Sequence, residues 1–305
     1  MHAHDHRHHH GVHAHDGDVT LGQKRLKVVL GLTAVFMVVE WLGGLLANSL
    51  ALMADAAHML TDVGALGLSL FVLWFSRRAT SDAKTYGYLR LEILAALLNG
   101  AVLIVISVAI FWQAWQRFRA PEPIAGPLML AVAGAGLIVN VIAALLLHSS
   151  AEHNLNVRGA YLHVLGDLLG SVGAIAAAII IMTVGWLPAD ALISAFVGLL
   201  ILLGSWKLVR ESVDILLEAV PSHIDMAAVR RAIHDIPDVI EVHDLHVWTL
   251  TSGFLAMSGH AVVRHPDQNQ RVLRDIHARM QTQFGISHVT VQLEMPTLHQ
   301  LESGG

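Results

Sequence analysis

Two short patterns combine an imidazole with a carboxylate inside otherwise apolar surroundings. His58 and Asp62 lie in one hydrophobic stretch, and His163 and Asp167 lie in another. A spacing of four residues is about one turn of α-helix, so each histidine should lie above its aspartate on one helix face. If the two faces meet, two nitrogen and two oxygen donors converge. Such a four-coordinate set is typical of Zn²⁺.

A second interpretation treats the same residues as interhelical hydrogen-bonding groups. Ionisable side chains at membrane depth are costly and are by default functional candidates. The repetition of the pair in two stretches therefore favours a metal site. Asp55, close to His58, has no assigned role. Glu40, Asn99 and Asn140 are predicted to be structural hydrogen-bonding partners, although a carboxylate such as Glu40 is also suited to relaying protons.

The composition indicates which elements must position these residues. The chain of 305 residues is 54% hydrophobic and only 14% charged, with a mean hydropathy of +0.57. A bilayer core is crossed by about 20 apolar residues in a helix. Six stretches meet this requirement and predict an α-helical membrane protein with six transmembrane helices: Val28–Leu46, Leu50–Phe75, Leu91–Gln116, Pro127–Leu147, Gly159–Val184 and Ala189–Val209.

The distribution of Lys and Arg predicts that both termini are cytoplasmic. Basic residues precede the first stretch and follow the second and the sixth, whereas two of the opposite loops are tiny. Residues 117–126 depart from this pattern, because they hold Arg117 and Arg119. No secretory signal is expected, since a polar segment precedes the first apolar run at Val28.

The rest of the chain predicts three domains: a histidine-rich tail at 1–24, the transmembrane domain at 25–212 and a soluble domain at 213–305. In the last of these, helices are expected at Asp225–Ile236 and Asp267–Phe284. Strands are expected at Val239–Thr249 and Phe254–Arg264, with a third after Gly285. This αββαβ order is typical of a split-βαβ α+β fold if one strand pairs in parallel.

Strand alternation sorts the histidines of this domain. His260, His288 and Glu294 fall on the polar side of their strands, where they could gather as a second metal site or simply form a solvated face. His243 and His246 are three residues apart on a strand, so alternation places them on opposite faces, and the two cannot both belong to one simple site.

The amino terminus carries a run of histidines interleaved with aspartates. A purification tag is one interpretation, and capture of metal by a disordered cytoplasmic tail is the better one, because the segment has almost nothing apolar to bury. His148 and His153 either extend this entry path or are polar helix ends. The candidate capture residues are His2, His4, His6, His8, His9, His10, His13 and His15.

Several functions are disfavoured. The absence of cysteine removes thiol chemistry, and a net charge of −5 offers no footprint for nucleic acid. A zinc protease would need a His-Glu-x-x-His pattern, which does not occur. No nucleotide-binding motif or organic cofactor is indicated. A metal sensor or buffer would explain the histidines, but it would not need charged residues in two membrane stretches.

Several longer motifs resemble the cation diffusion facilitator family of zinc/proton antiporters over nearly the whole chain. The matching segments are SLALMADAAHMLTD (49–62), YGYLRLEILA (86–95), NVRGAYLHVLGDLLGS (156–171) and HDLHVW (243–248). The resemblance implies six membrane helices, a cytoplasmic ferredoxin-like domain, a homodimer, and export of Zn²⁺ from the cytoplasm by alternating access in exchange for protons. As a bacterial efflux type, it would lie in the inner membrane.

The resemblance also implies roles for individual residues. His58, Asp62, His163 and Asp167 fall on the family's transport site. Arg90 and Asp214 fall where some members use a charge pair near the hinge between domains. A cytoplasmic site, with Zn²⁺ as a regulatory ligand, falls near His243, His260, His288 and Glu294. Some bacterial members bind another ion in the loop before the third span. Here that loop offers Asp82, Tyr86 and Tyr88, so the extra site is expected to be missing.

Overall fold

The computed structural model describes residues 13–60, 63–64, 85–151, 155–251 and 253–296, with the side chains of 13–27, 149–151, 155–160 and 162–163 outside that description. The helices are α1 (His13–Ala47), α2 (Leu50–Leu60), α3 (Leu91–Arg119), α4 (Gly126–Ala151), α5 (Leu155–Val184), α6 (Pro188–Leu216), α7 (Met226–His234) and α8 (Asn269–Phe284). The strands are β1 (Val239–Thr251), β2 (Phe254–Val263) and β3 (His288–Glu294), and a 3₁₀ turn spans Pro266–Gln268.

Five described helices contain segments long and apolar enough to cross a membrane: Val28–Ala47, Leu91–Arg119, Gly126–His148, Val164–Val184 and Pro188–Leu216. They match five of the six predicted stretches. The other stretch, Leu50–Phe75, is described as helix α2 and at residues 63–64. Large apolar side chains on these helices are exposed, including Val105 at 69% and Leu145 at 71%. Apolar surface of this extent suits lipid, as expected of a multi-pass membrane protein.

The first helix begins earlier than the sequence predicted. Residues 1–24 were expected to be a disordered tail, but α1 is helical from His13 onwards. A membrane-spanning helix already supplies the costly nucleus, and each further residue then adds a backbone hydrogen bond. The polar segment therefore continues the helix, although it has little apolar surface to bury by itself.

The chain divides into two compact units, Met1–Gly67 with Ala101–Ser205, and Leu68–Gly100 with Trp206–Gly305. The core of the first unit is built largely from alanines of α1, α2, α4 and α5, including Ala47, Ala51, Ala133 and Ala177, which are at most 1% exposed. Small side chains allow membrane helices to approach closely. At Gly43, an added Cβ would lie only 2.6 Å from Val132 Cγ2.

The start of α2 is held by a buried carboxylate from α6. Asp190 accepts hydrogen bonds from the Ser49 hydroxyl (2.6 Å) and from the backbone amides of Leu50 (2.8 Å) and Ala51 (3.1 Å). The first amides of a helix have no partner within the helix, and a carboxylate beside them also favours the helix dipole. Asp190 therefore fixes the beginning of the helix that carries Asp55 and His58.

Arg117 completes this arrangement at the end of α3. Its guanidinium donates to the backbone carbonyl of Asn48 (2.6 Å) and to the Asn48 side-chain oxygen (2.8 Å), and lies 3.6 Å from Asp190 Oδ2. The side chain is only 17% exposed. Its charge is thus neutralised within the protein, which accounts for one of the two basic residues that disturbed the charge distribution.

The second unit contains the predicted αββαβ order, formed by α7, β1, β2, α8 and β3. Strand β2 pairs antiparallel with β1 and parallel with β3, which is the parallel pairing that the split-βαβ pattern requires. Helices α7 and α8 bury Val229, Ile233, Val272 and Ile276 in its core. Asp225 caps α7, with its carboxylate accepting from the Ala227 amide, as predicted.

Candidate metal sites

A cavity of about 270 Å³ lies between α2, α5 and α6 in the first unit. His58 and Asp167 line it from different helices, and His58 Nε2 lies 3.8 Å from Asp167 Oδ1. The Asp167 side chain is 6% exposed and that of His58 is 30% exposed. A nitrogen and an oxygen donor therefore line one cavity from two helices, and their role as metal ligands stays a prediction.

The other two predicted ligands cannot be compared in the same way. Asp62 lies outside the described residues, and the side chain of His163 is outside the description. The backbone of α5 is helical through both His163 and Asp167. His163 thus lies about one turn before Asp167, as its spacing requires.

Asp55 belongs to this cavity, although no role was predicted for it. It is 5% exposed, it lines the cavity, and a Cβ added at Gly170 would lie 3.1 Å from its Oδ1. The signal in the sequence was its spacing, because Asp55 is three residues before His58 and shares its helix face. Glycine at position 170 leaves the space that the Asp55 carboxylate occupies.

Glu40 extends the polar cluster from α1. It is 1% exposed and forms a hydrogen bond with the Asp55 side chain, whereas its Oε2 has no hydrogen-bond partner among the described residues. Asn140 is more conventional, since its amide donates to the Ser171 hydroxyl at 3.3 Å, in line with a structural role. His148 packs its ring against Tyr161, with centroids 5.6 Å apart, and His153 lies outside the described residues.

A second group of donors lies on the sheet of the second unit. Potential ligand atoms of His243, His260 and Glu294 all lie within 4.8 Å of one another. The Glu294 carboxylate, 4% exposed, forms hydrogen bonds with both rings: its Oε2 is 3.2 Å from His243 Nε2, and its Oε1 contacts His260 Nδ1. Two imidazoles and a carboxylate in this arrangement are suited to holding Zn²⁺ with one coordination position left over.

Strand register explains this group. His243 lies directly opposite His260 across the β1–β2 pair, and His260 pairs with Gln292 across the β2–β3 pair. Glu294, two residues after Gln292, is on the same face. Strand alternation did not group His243 with His260 and Glu294. Its position opposite His260 is apparent only from the register of the β1–β2 pair.

His288 does not join this group. Alternation placed it on the same face as Glu294, but it pairs with Ala256, four residues before His260 on β2. Four residues of strand span about 13 Å. His288 instead places its Nε2 3.3 Å from the Tyr86 hydroxyl and its ring against Phe254. The expected gathering of His260, His288 and Glu294 therefore fails because of position along the strand rather than face.

Strict alternation also breaks between His243 and His246. The register shifts there, and Asp244 has a positive φ of 47°. The Asp244 carboxylate lies 2.9 Å from His246 Nε2 and 3.8 Å from His260 Nε2. His246 is thus connected to the group through Asp244 but does not belong to the three-donor set.

The ionisation of both carboxylates suits a cation site. Burial by itself would raise the pKa of Glu294, but hydrogen bonds from His260 and His243 outweigh it and hold the pKa below its ordinary value. The hydrogen bond from His246 lowers the pKa of Asp244. Both groups therefore remain ionised at neutral pH without any metal.

The predicted hinge pair takes a different form. Arg90 pairs with Glu218 (2.5 Å), and Asp214 lies 4.0 Å from Arg210 on its own helix. Glu218 follows Asp214 by four residues and lies just beyond the end of α6, so the predicted ion pair between Arg90 and Asp214 is not formed. Thr251 also donates to Glu92, which follows Arg90 at the start of α3.

Comparison with known families covers most of the chain. Residues 26–217 match the cation efflux transmembrane domain, and residues 221–296 match the cation efflux protein cytoplasmic domain. The chain belongs to the cation efflux family. This is the cation diffusion facilitator family that the sequence motifs resemble, and its members are transporters rather than enzymes.

Similar proteins cover almost the whole chain. The zinc transporter ZitB of Escherichia coli is 47% identical over 90% of this chain and 88% of its own length. The metal cation efflux system protein CzcD of Cupriavidus metallidurans is 40% identical over 95% and 92%. A cadmium, cobalt and zinc/H⁺-K⁺ antiporter of Bacillus subtilis is 41% identical over 92% and 91%.

Proposed function

We propose that this cation efflux protein exports divalent metal ions, Zn²⁺ foremost, from the cytoplasm in exchange for protons. The names of the relatives support both parts, since they include zinc transporters and a zinc/proton antiporter. The observation that carries the proposal is the approach of His58 and Asp167 across one cavity from two membrane helices.

The proposed transport site consists of His58, Asp62, His163 and Asp167. In the sequence, each histidine precedes its aspartate by four residues, which is about one turn of a helix. A single contact between two such helices would bring the four donors together. With all four positions of a tetrahedral ion filled by protein, none is left for a reacting water. Such a site binds and releases its ion without catalysing a reaction.

Competition between metal and protons provides the coupling. Metal binding requires a neutral imidazole and an ionised carboxylate, so metal displaces protons and protons displace metal. A site open to a neutral cytoplasm favours Zn²⁺, and the same donors exposed to a more acidic exterior favour protons. Alternating access between these two states exports the metal.

The proposed topology has six membrane helices in the inner membrane, with both termini and a ferredoxin-like domain in the cytoplasm. The neutralisation of Arg117 by Asp190 and Asn48 supports it, because a buried, paired arginine places no demand on the side of the loop. Arg119 alone then departs from the charge distribution. A homodimer is proposed from the family resemblance.

Three accessory roles belong to the same proposal. His243, His260 and Glu294 bind regulatory Zn²⁺, with His288 outside the set. Arg90 forms the hinge pair with Glu218 in place of Asp214. The histidines from His2 to His15 capture metal ahead of the transport site.

Zinc and proton flux in vesicles tests the function. Full-length protein in proteoliposomes should move Zn²⁺ with counter-moving protons, and Asp167→Asn should lower zinc flux by about a hundredfold or more, since even losses around a ligand cost about 10–100-fold. Asp267→Asn, at an exposed site in the second unit, is the matched control and should retain flux. Zinc flux without proton movement would contradict the coupling, and zinc binding without flux would indicate a sensor or buffer.

A further inference from the structure

The carboxyl-terminal end of α3 borders an open cavity of about 670 Å³. Its lining includes Trp112, Trp115, Gln116, Arg119 and Glu122. Both tryptophans are unusually exposed for such large rings, at 64% and 55%. Neither the transport cavity nor the cytoplasmic donor group accounts for this surface.

The two arginines at this end of α3 are in opposite situations. Arg117 is buried and satisfied by Asn48 and Asp190. Arg119 is exposed, its guanidinium lies 5.4 Å from the centre of the Trp115 ring, and among the described residues it has no carboxylate partner. A cation stacked on an indole keeps its donors available at the rim.

The carboxylate in the lining lies beside Arg117 and not beside Arg119. Glu122 accepts a hydrogen bond from the Asn48 side chain (3.1 Å) and lies 3.8 Å from Arg117. Its negative charge is therefore directed towards Arg117. Arg119 is therefore the basic side chain of the lining that has no carboxylate partner among the described residues.

The spacing along the helix orders these groups by depth. Trp112, Trp115 and Arg119 are three and four residues apart, so they share one face of α3. Between the first and the last the helix rises about 10 Å. This helix is long and apolar enough to cross a membrane and ends at Arg119. In such a helix, the indoles would lie at the interface, where tryptophans are enriched, and the guanidinium at headgroup level.

We propose that this face of α3 binds the headgroup of an anionic phospholipid. The phosphate pairs with Arg119, whose planar guanidinium suits two phosphate oxygens. The indole N–H groups of Trp112 and Trp115 donate towards the glycerol esters, and their ring faces pack on the upper acyl chains. A small aqueous anion would use the arginine but not the two exposed indoles below it, which is why a lipid is the occupant.

Lipid titration monitored by native mass spectrometry tests the site in the purified full-length protein. Wild type should retain phosphatidylglycerol in preference to phosphatidylcholine, and Arg119→Gln should weaken phosphatidylglycerol binding about fivefold. Arg210→Gln, at an exposed arginine near the end of α6, is the matched control and should bind as wild type. Trp115→Leu should also weaken binding while keeping the charge.

Three results would overturn the proposal. One is equal retention of phosphatidylglycerol by Arg119→Gln and wild type. Another is displacement of bound phosphatidylglycerol by inorganic phosphate at the same concentration, which would identify a site for free anions. The third is a change in the proportion of dimer in Arg119→Gln without a change in lipid binding, which would assign the face to a second copy of the chain.

Discussion

The two groups of candidate metal ligands differ in how closely their donor atoms are assembled. On the sheet, three donors are already in mutual contact, and a buried carboxylate holds both imidazoles by hydrogen bonds. In the membrane cavity, His58 and Asp167 face each other at 3.8 Å across a space of about 270 Å³. A preassembled set favours retention of an ion, whereas donors carried by separate helices can be parted, which transport requires.

The largest expected effect comes from comparing two histidine variants of the second unit, His260→Ala and His288→Ala. His260→Ala should weaken Zn²⁺ binding by the isolated fragment 215–305 about a hundredfold or more, because it removes one of three donors. His288→Ala should leave zinc affinity unchanged, since His288 lies with Tyr86 and Phe254. The fragment contains its own hydrophobic core, and calorimetry measures the affinity.

In the full-length protein, the same His260→Ala change should leave maximal zinc flux at the wild-type level. If the His260→Ala and His288→Ala fragments lost zinc affinity equally, His288 would have to be counted as a ligand. Loss of maximal flux in His260→Ala would mean that the cytoplasmic group belongs to the transport path, and the comparison would fail.

The membrane cavity is tested by two glycines on one helix. At Gly170 an added Cβ would lie 3.1 Å from Asp55 Oδ1, whereas at Gly166, which lines the same cavity, it would meet nothing within 4 Å. Gly170→Ala should lower zinc flux about tenfold, as expected of local overpacking by about 1–3 kcal/mol. Gly166→Ala is the matched control, and similar flux in the two variants would show that the position of Asp55 is immaterial.

The smallest effect concerns acid stability of the cytoplasmic group without metal. Glu294 has a folded-state pKa below its ordinary value of 4.5. Its ionised form therefore stabilises the fold above that pH, and this contribution is lost as the pH falls through the folded-state pKa. With a metal chelator present, the free energy of unfolding of the Glu294→Gln variant of fragment 215–305 should fall less steeply with decreasing pH than that of the wild-type fragment. Denaturant titrations at several pH values measure this free energy. The same dependence on pH in the variant and in wild type would contradict the prediction.

Sequence alone was most informative where a pattern repeats with a fixed period. Five of the six apolar stretches, the αββαβ order and the capping of α7 by Asp225 follow from local rules and are confirmed. His58 and Asp167 were paired because two stretches carry the same spacing. These inferences needed no knowledge of which elements touch.

The sequence did not predict features that depend on strand register or on contacts between residues far apart in the chain. Nothing local places His260 beside His243 while leaving His288 about 13 Å along the strand, and the break at Asp244 removes the alternation on which the argument depended. Asp55 lacked a role because its contacts come from Glu40 and Gly170 on other helices. Arg90 pairs with Glu218 and not with Asp214 for the same reason, since the choice between two carboxylates four residues apart depends on where Arg90 lies.

The carboxylate that holds the start of α2 also bears on how the protein is made. Ser49 and Asp190 are separated by 141 residues, so the ribosome synthesises α2 well before it supplies the partner of its first amides. At about 5–20 residues per second, the delay is on the order of ten seconds. During this interval, the beginning of α2 must rely on water at the membrane surface or on the insertion machinery. A chain that stalls before α6 therefore leaves the first amides of α2 without the carboxylate that holds them in the folded protein.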